Sequence, residues 1–289
     1  MTSPATPTTY VETRDGVAGL DWGATLAKLA VRSPAGALSY RLLPTRDVEV
    51  VRQAIAESGA RRTGLTGGGA AAIAARLDGE AIQVNEFAAW GSGAAALLAD
   101  EPLAPSGRYL LVSLGTGTSV LLVDGLSVTR VGGTALGGGT LVGLAAGLFG
   151  IGDFARITEL AERGSRREVD LLVSDIYRAG GIALAGDLTA ANFGKLGPRL
   201  AAGERVSDAD LAHALMGLVG ENVALVCAGL AAAAQVSRIV FGGSTLRTNP
   251  VLVEVVGNIT RALGREPVFL ARGEFAGALG ALQLAAGEA

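Results

Sequence analysis

The residues of this 289-residue chain whose types and spacing suit chemistry are a few acids and a set of glycine turns. Asp21 closes an apolar run and opens the turn Asp21-Trp22-Gly23-Ala24-Thr25, with Lys28 following. A single carboxylate there suits a hydrated Mg²⁺, which keeps most of its waters and takes few carboxylates. Thr25 and Lys28 are of the types that contact phosphate. The same stretch also reads as an ordinary hairpin that begins with an acid. A second turn, Leu114-Gly115-Thr116-Gly117-Thr118-Ser119, joins two apolar runs. It offers backbone N–H groups and hydroxyls with little side-chain obstruction, as a polyphosphate cradle requires. A plain hairpin has the same composition. A third, Phe241-Gly242-Gly243-Ser244, follows an apolar run and leaves room for an adenosine close to the backbone. None is a Walker loop, because no Gly-Lys-Ser or Gly-Lys-Thr occurs. Gly132, Gly133 and Gly137 to Gly139 lack the spacing of a dinucleotide fingerprint.

Other side chains limit the chemistry. Glu86 heads an apolar helical pattern, where an acid opposes the helix dipole favourably. Arg130 stands near the end of a strand pattern. The lone cysteine, Cys227, lies in an apolar stretch and reads as a buried core thiol, so no internal disulfide is possible. The lone histidine, His213, sits in a helical pattern, which argues against a histidine nucleophile or a His-rich metal site. A net charge of -3 leaves no basic excess to hold a nucleic-acid backbone. Residues 1–9 lack the apolar core of a signal peptide, and a reducing, cytoplasmic location is expected. Residues 131–152 carry no charge. They read as a tight loop and a buried helix, with a membrane span as the alternative.

These residues need positioning elements. Residues 16–31 read as a strand and hairpin, 38–43 as a strand, 48–57 as a helix, 62–66 as a strand, and 70–77 and 86–99 as helices. Pro102 and Pro105 then break the chain. Strands at 109–113, 119–123 and 126–131 form a second system. Helices follow at 140–149, 153–163, 169–177 and 208–234, then a strand at 238–241, a helix at 250–263, a strand at 267–270 and a helix at 277–286. A β-hairpin unit followed by helices thus occurs twice, which points to two similar α/β lobes. The expected divisions are a flexible segment over 1–17, one lobe over 18–105 and another over 106–289.

Asp first, Gly-Thr-Gly second and Gly-Gly third, in that order, resemble the phosphate and adenosine segments of the actin-like ATPase, sugar kinase and Hsp70 superfamily. Longer stretches resemble type II pantothenate kinases: Thr66-Gly67-Gly68-Gly69, Glu86-Phe87, Gly115-Thr116-Gly117-Thr118-Ser119, Arg130-Val131-Gly132-Gly133-Thr134, Gly137-Gly138-Gly139-Thr140, Asp175-Ile176-Tyr177, Thr189-Ala190-Ala191-Asn192-Phe193-Gly194-Lys195 and Phe241-Gly242-Gly243-Ser244. The resemblance runs over about residues 18–284. It implies an α/β fold of two actin-like (ribonuclease H-like) lobes with an ATP cleft between them. It also implies ATP- and Mg²⁺-dependent phosphorylation of the primary hydroxyl of pantothenate by a homodimer.

By that resemblance Glu86 is the catalytic base. Arg130 grips the substrate or the transferring charge. Asp21, the metal ligand, belongs with Gly23, Thr25 and Lys28 to the first phosphate segment. Gly115, Thr116, Gly117 and Ser119, with Gly138 and Gly139, form the second. Gly242 and Gly243 form the adenosine segment. Thr189, Phe154 and Phe275 fall on the substrate side. Three departures stand out: Ala24 replaces a usual glycine, Ser165 an Asp, and Phe154 and Phe275 replace tyrosines expected to face pantothenate. The last leaves open a kinase of this fold acting on a different hydroxy acid or pantothenate-like alcohol. A non-enzymatic nucleotide-binding homologue is the remaining alternative. No partner nucleic acid or membrane is expected.

Overall fold

The structure is a computed structural model that describes residues 16–45, 47–99, 107–177 and 188–287. The expected break at Pro102 and Pro105 and the readings of residues 1–9 lie outside the described residues. The chain forms two compact units. One comprises the chain up to Ala89 together with Gly277–Ala289, and the other Trp90–Ala276.

The first unit is built on strands β1 (Val17–Trp22), β2 (Leu26–Arg32) and β3 (Leu38–Pro44), helix α1 (Val48–Glu57), β4 (Arg62–Thr66), α2 (Ala70–Ala74), β5 (Glu80–Gln83) and the start of α3 (Glu86–Leu98). The sheet order is β3-β2-β1-β4-β5. The first three strands pair antiparallel, whereas β1-β4 and β4-β5 are parallel. Strand β1 is central and almost continuously apolar, as burial on both faces demands. Leu20, Leu29 and Leu65 are wholly buried in its core, each contributing about 1.5–3 kcal/mol by removal from water. The C-terminal helix, Ala276–Ala286, packs directly on this sheet. A methyl on Gly19 would stand 2.0 Å from the carbonyl of Ala278, and one on Gly64 2.0 Å from that of Ala281, so only bare backbone allows the approach.

The second unit has β6 (Tyr109–Leu114), β7 (Thr118–Asp124), β8 (Ser127–Thr134), α4 (Gly138–Phe149), α5 (Phe154–Arg163), β9 (Leu171–Leu172), α6 (Val173–Ile176), β10 (Thr189–Ala191), α7 (Leu196–Ala201), α8 (Asp208–Ala233), β11 (Arg238–Gly242), α9 (Pro250–Ala262), β12 (Glu266–Phe269) and the beginning of α10, the C-terminal helix already described. Its main sheet runs β12-β11-β6-β7-β8. The hairpin pairs β6-β7 and β7-β8 are antiparallel, and β6-β11 and β11-β12 are parallel. This is the wiring of the first sheet repeated strand for strand, so the duplication expected from the element order is present in the topology.

Helix α8 has the length and apolarity of a membrane span, but 67% of its apolar stretch is buried, in contact with α4, α5 and α9. Cys227 lies in that buried face, and burial pushes its thiol pKa up to about 12. His213 is satisfied by the carbonyl of Ala161 at 2.9 Å. Helix α4 departs from the buried helix expected over 140–149, because Leu144 and Leu148 face outward. Residues 169–177 depart further. They form the two-residue strand β9 and the single turn α6 instead of one helix. The carboxylate of Asp175 accepts from the N–H of Leu172 at 2.8 Å, and β9 pairs with β10. These bonds replace the backbone ladder that a helix would have used.

Candidate active site

In the first unit, Asp21, Trp22, Gly23, Ala24, Thr45, Gly67, Gly68, Gly69 and Glu86 line one cavity of about 610 Å³. Asp21, the penultimate residue of β1, is cross-strand partner to Lys28 on β2, so the antiparallel register alone brings them together. Their charged groups lie 3.4 Å apart, with Asp21 only 4% exposed. Burial raises the Asp21 pKa, and the Lys28 ammonium opposes that rise. Glu86 is the first residue of α3. The Asn85 side chain caps this helix, accepting from the N–H groups of Phe87 and Ala88 at 3.0 and 3.1 Å. The cap fixes where Glu86 sits, at the accessible mouth of the cavity. Desolvation raises the Glu86 pKa, the nearby charge of Asp21 raises it further, and Lys28 lowers it.

Gly67 closes the floor of this cavity. Its φ of +88° is a left-handed conformation, and a methyl there would stand 2.5 Å from the carbonyl oxygen of Trp22 and 2.9 Å from Oδ1 of Asp21. The indole of Trp22 lies against Gly69. Thr25 is exposed at the tip of the β1–β2 turn. Ala24 also lies on the exposed turn and is absent from the residues with positive φ, so its methyl adds no backbone strain. Thr45, far along the chain, donates its hydroxyl to the carbonyl of Ala24 at 3.2 Å. Trp22 and Thr45 were not singled out as site residues by type or spacing; only the folded hairpin brings them here.

In the second unit the β6–β7 turn, the start of α4 and the loop after β11 are tied to one another. The carbonyl of Gly115 accepts from the N–H of Gly138 and from the hydroxyl of Thr245, both at 2.8 Å. The carbonyl of Thr116 accepts from the N–H of Gly139 at 3.0 Å. Gly243, with φ of +112°, packs so closely on Leu114 that a methyl would stand 2.3 Å from its carbonyl oxygen. Gly115, Thr116, Gly117, Gly138, Gly139, Gly242 and Gly243 are thereby gathered at one end of the sheet. Ser119 sits within β7 opposite Gly133.

Arg130 joins this group through an irregularity. The register of β8 on β7 shifts between Val120 and Leu121, so that Gly132 faces Val120 while Arg130 faces Leu121. The extra residue, Val131, makes a bulge that re-aims its neighbours. The Arg130 guanidinium accordingly lies beside Gly133, where a methyl would meet its Nη2 at 3.0 Å. The three substrate-side residues sit in different surroundings. Thr189 accepts a hydrogen bond from Arg166 at 3.1 Å, and Arg166 is also paired with Glu221. Phe154 starts α5 and packs on the core of the second unit. Phe275, 7% exposed, is buried in the turn before α10. Ser165 donates its N–H to Asp210 at 2.7 Å.

The Fumble family model matches residues 97–284. Type II pantothenate kinase of Staphylococcus saprophyticus is 34% identical over 266 residues, covering 92% of this chain and 99% of that protein. The Staphylococcus aureus enzyme of the same name is 34% identical over 268 residues, with 92% and 98% covered. The chain belongs to the type II pantothenate kinase family. Solved structures similar to it share its α/β fold. Component A of (R)-2-hydroxyglutaryl-CoA dehydratase from Acidaminococcus fermentans superposes with a TM-score of 0.64 at 17% identity, covering 94% of this chain and 97% of that one. A ROK family glucokinase from Streptomyces griseus gives 0.56 at 13% identity, covering 94% and 99%.

Proposed function

We propose that this protein is a pantothenate kinase, transferring the γ-phosphoryl group of ATP to the primary hydroxyl of pantothenate, the first step toward coenzyme A. The observation that carries the reading is the cavity that places Glu86, with its raised pKa, beside the buried Asp21–Lys28 pair, in a chain alignable to named pantothenate kinases over nearly its whole length. The Glu86 carboxylate accepts the proton of the substrate hydroxyl as that oxygen forms its bond to the γ-phosphorus and the bond to ADP breaks.

The donor set at Asp21 fits Mg²⁺: one carboxylate with no second acid needed, since this ion completes its shell with water and phosphate oxygens. Among the described residues no group of three or more His, Cys, Asp or Glu side chains offers an all-protein cage. Asp21 would hold the ion, and Mg²⁺ bound there would neutralise charge on the phosphates. Lys28 and Thr25 contribute to phosphate binding, together with Gly23. In the second unit Gly115, Thr116, Gly117, Ser119, Gly138 and Gly139 serve the phosphates, Gly242 and Gly243 the adenosine, and Arg130 the substrate or the transferring charge through its planar fork of donors. Phe154, Thr189 and Phe275 belong to the substrate side in this reading.

The active form is a cytoplasmic homodimer in this reading. Its support is the outward apolar surface on two adjacent helices of the second unit, Leu144 and Leu148 on α4 with Leu225 and Val226 on α8. The test is ATP consumption by purified protein supplied in turn with pantothenate, pantetheine and other hydroxy acids. Turnover with pantothenate at a KM no higher than for any other acceptor is the expected result. Turnover only with another alcohol would move the assignment to the alternative substrate, and no nucleotide binding at millimolar ATP would end the kinase reading.

A further inference from the structure

We propose that Thr245 is a positioning residue for the nucleotide, holding the Gly115–Gly117 turn so that its amides face the phosphates. This rests on reading that turn as the phosphate segment. Thr245 follows the Gly-Gly pair and Ser244 and is 4% exposed. Its backbone N–H donates to the carbonyl of Leu114 at 3.1 Å, and its hydroxyl to that of Gly115 at 2.8 Å. A threonine hydroxyl has one proton, so donation to Gly115 fixes its rotor. A methyl on Gly138 would stand 2.6 Å from this hydroxyl, so a bare residue at 138 is what leaves room for it.

The consequence follows from peptide geometry. In a planar trans peptide the carbonyl of one residue and the N–H of the next point in opposite directions, and no cis bond is present among the described residues. The Gly115 carbonyl is held by Thr245 and Gly138, and the Thr116 carbonyl by Gly139. The N–H groups of Thr116 and Gly117 therefore point away from α4 and the β11 loop. The Gly117 carbonyl is itself used, accepting from the N–H of Gly115 at 2.9 Å, which closes the turn. All three carbonyls of the turn are thus occupied, and the N–H groups of Thr116 and Gly117 lie on its opposite side. Of the bonds named here, the one to Gly115 from Thr245 comes from a side chain, and it links the residue stretch assigned to adenosine with the one assigned to phosphate.

Thr245→Val keeps the shape and removes the hydroxyl, while Thr245→Ser keeps the hydroxyl. ATP affinity by calorimetry, KM for ATP and for pantothenate, and Tm are measured on both variants and the wild type. Thr245→Val is expected to weaken ATP binding and raise its KM about tenfold, as for one lost hydrogen bond, with the KM for pantothenate unchanged. Thr245→Ser is expected to restore ATP binding to within about twofold. A Val variant whose Tm falls while ATP affinity holds would make Thr245 a packing residue and overturn the proposal. Failure of Ser to restore affinity would do the same, because the hydroxyl would then not be the cause. A wild-type protein that binds no ATP would overturn the phosphate-segment reading itself, a result distinct from either.

Discussion

The two units use one topological device for different chemistry. In each, the turn after the first strand of the sheet meets a glycine loop after the fourth. The meeting point is a left-handed glycine, Gly67 at +88° in the first unit and Gly243 at +112° in the second. Each packs on the end of the neighbouring strand, Gly67 against Asp21 and Trp22, Gly243 against Leu114. In the first unit the device delivers side-chain charge: Asp21, Lys28 and Glu86. In the second it delivers backbone: a turn whose carbonyls are occupied and whose Thr116 and Gly117 amides lie on the opposite side. A site made of charges fails when a charge is removed, whereas one made of backbone fails when a methyl is added.

The largest effect expected from breaking this division is at Glu86. Glu86→Gln keeps the shape and the Asn85 cap but cannot accept a proton, so turnover should fall by roughly 10²–10⁴. ATP affinity should stay as in the wild type, because in the proposed reading the charge that binds phosphate is elsewhere. Stopped-time product assays alongside calorimetry measure both. Turnover within a few-fold of wild type would remove Glu86 as the base.

Adding a methyl tests the other unit. Gly243→Ala imposes a left-handed backbone on alanine and drives its Cβ onto Leu114, at a cost of about 1–3 kcal/mol. The damage should appear as a lower Tm and weaker ATP binding, with little change in kcat at saturating nucleotide. Gly67→Ala presses on Asp21 and should lower kcat instead. If both variants lose the same parameter, the two units do not divide the chemistry in this way.

Much of this arrangement was legible in the sequence, and the failures have causes. Glycine turns at 67–69, 115–117 and 242–243 and the strands before them follow from apolar runs that end in flexible residues. The repeat of hairpin and helices was visible because each copy has the same order. Strand β5 and the β9–β10 ribbon were missed, since strands of two to four residues carry almost no periodicity. The bulge at Val131 was invisible because register depends on the partner strand, and with it went the placement of Arg130. Thr45 and Thr245 act through carbonyls far away in the chain, on Ala24 and Gly115, so no local spacing announces them. The close seat of α10 on Gly19 and Gly64 depends likewise on segments distant in sequence.

The pH profile offers a smaller but directional test of the charged unit. Because burial and Asp21 raise the Glu86 pKa, the base begins to lose its charge at a higher pH than a free glutamate near 4.3. The acid limb of kcat/KM should therefore lie above that value, with activity present above the raised pKa and lost as pH falls through it. Carbon-13 titration of the Glu86 carboxyl should show the midpoint moving down in Asp21→Asn, where the like charge is gone. An unchanged midpoint would mean the two carboxylates do not sense each other.

The smallest effect separates the two turns most finely. The sequence resemblance puts Ala24 where a glycine is expected, in the turn that a backbone cradle would need bare. If the first turn worked as the second does, a methyl at this position would crowd the phosphate and Ala24→Gly would tighten ATP binding several-fold. The geometry argues otherwise. Ala24 is exposed, its φ is not positive, and its carbonyl, rather than its Cβ side, is held by Thr45. Glycine there gains nothing in the folded state and adds freedom to the unfolded chain, which should cost about 0.4–1 kcal/mol of stability. Ala24→Gly is therefore expected to lower Tm slightly and leave ATP affinity unchanged. A clear gain in affinity would show that the first turn also binds through its backbone, and that the charges of Asp21 and Lys28 act on top of a cradle rather than in place of one.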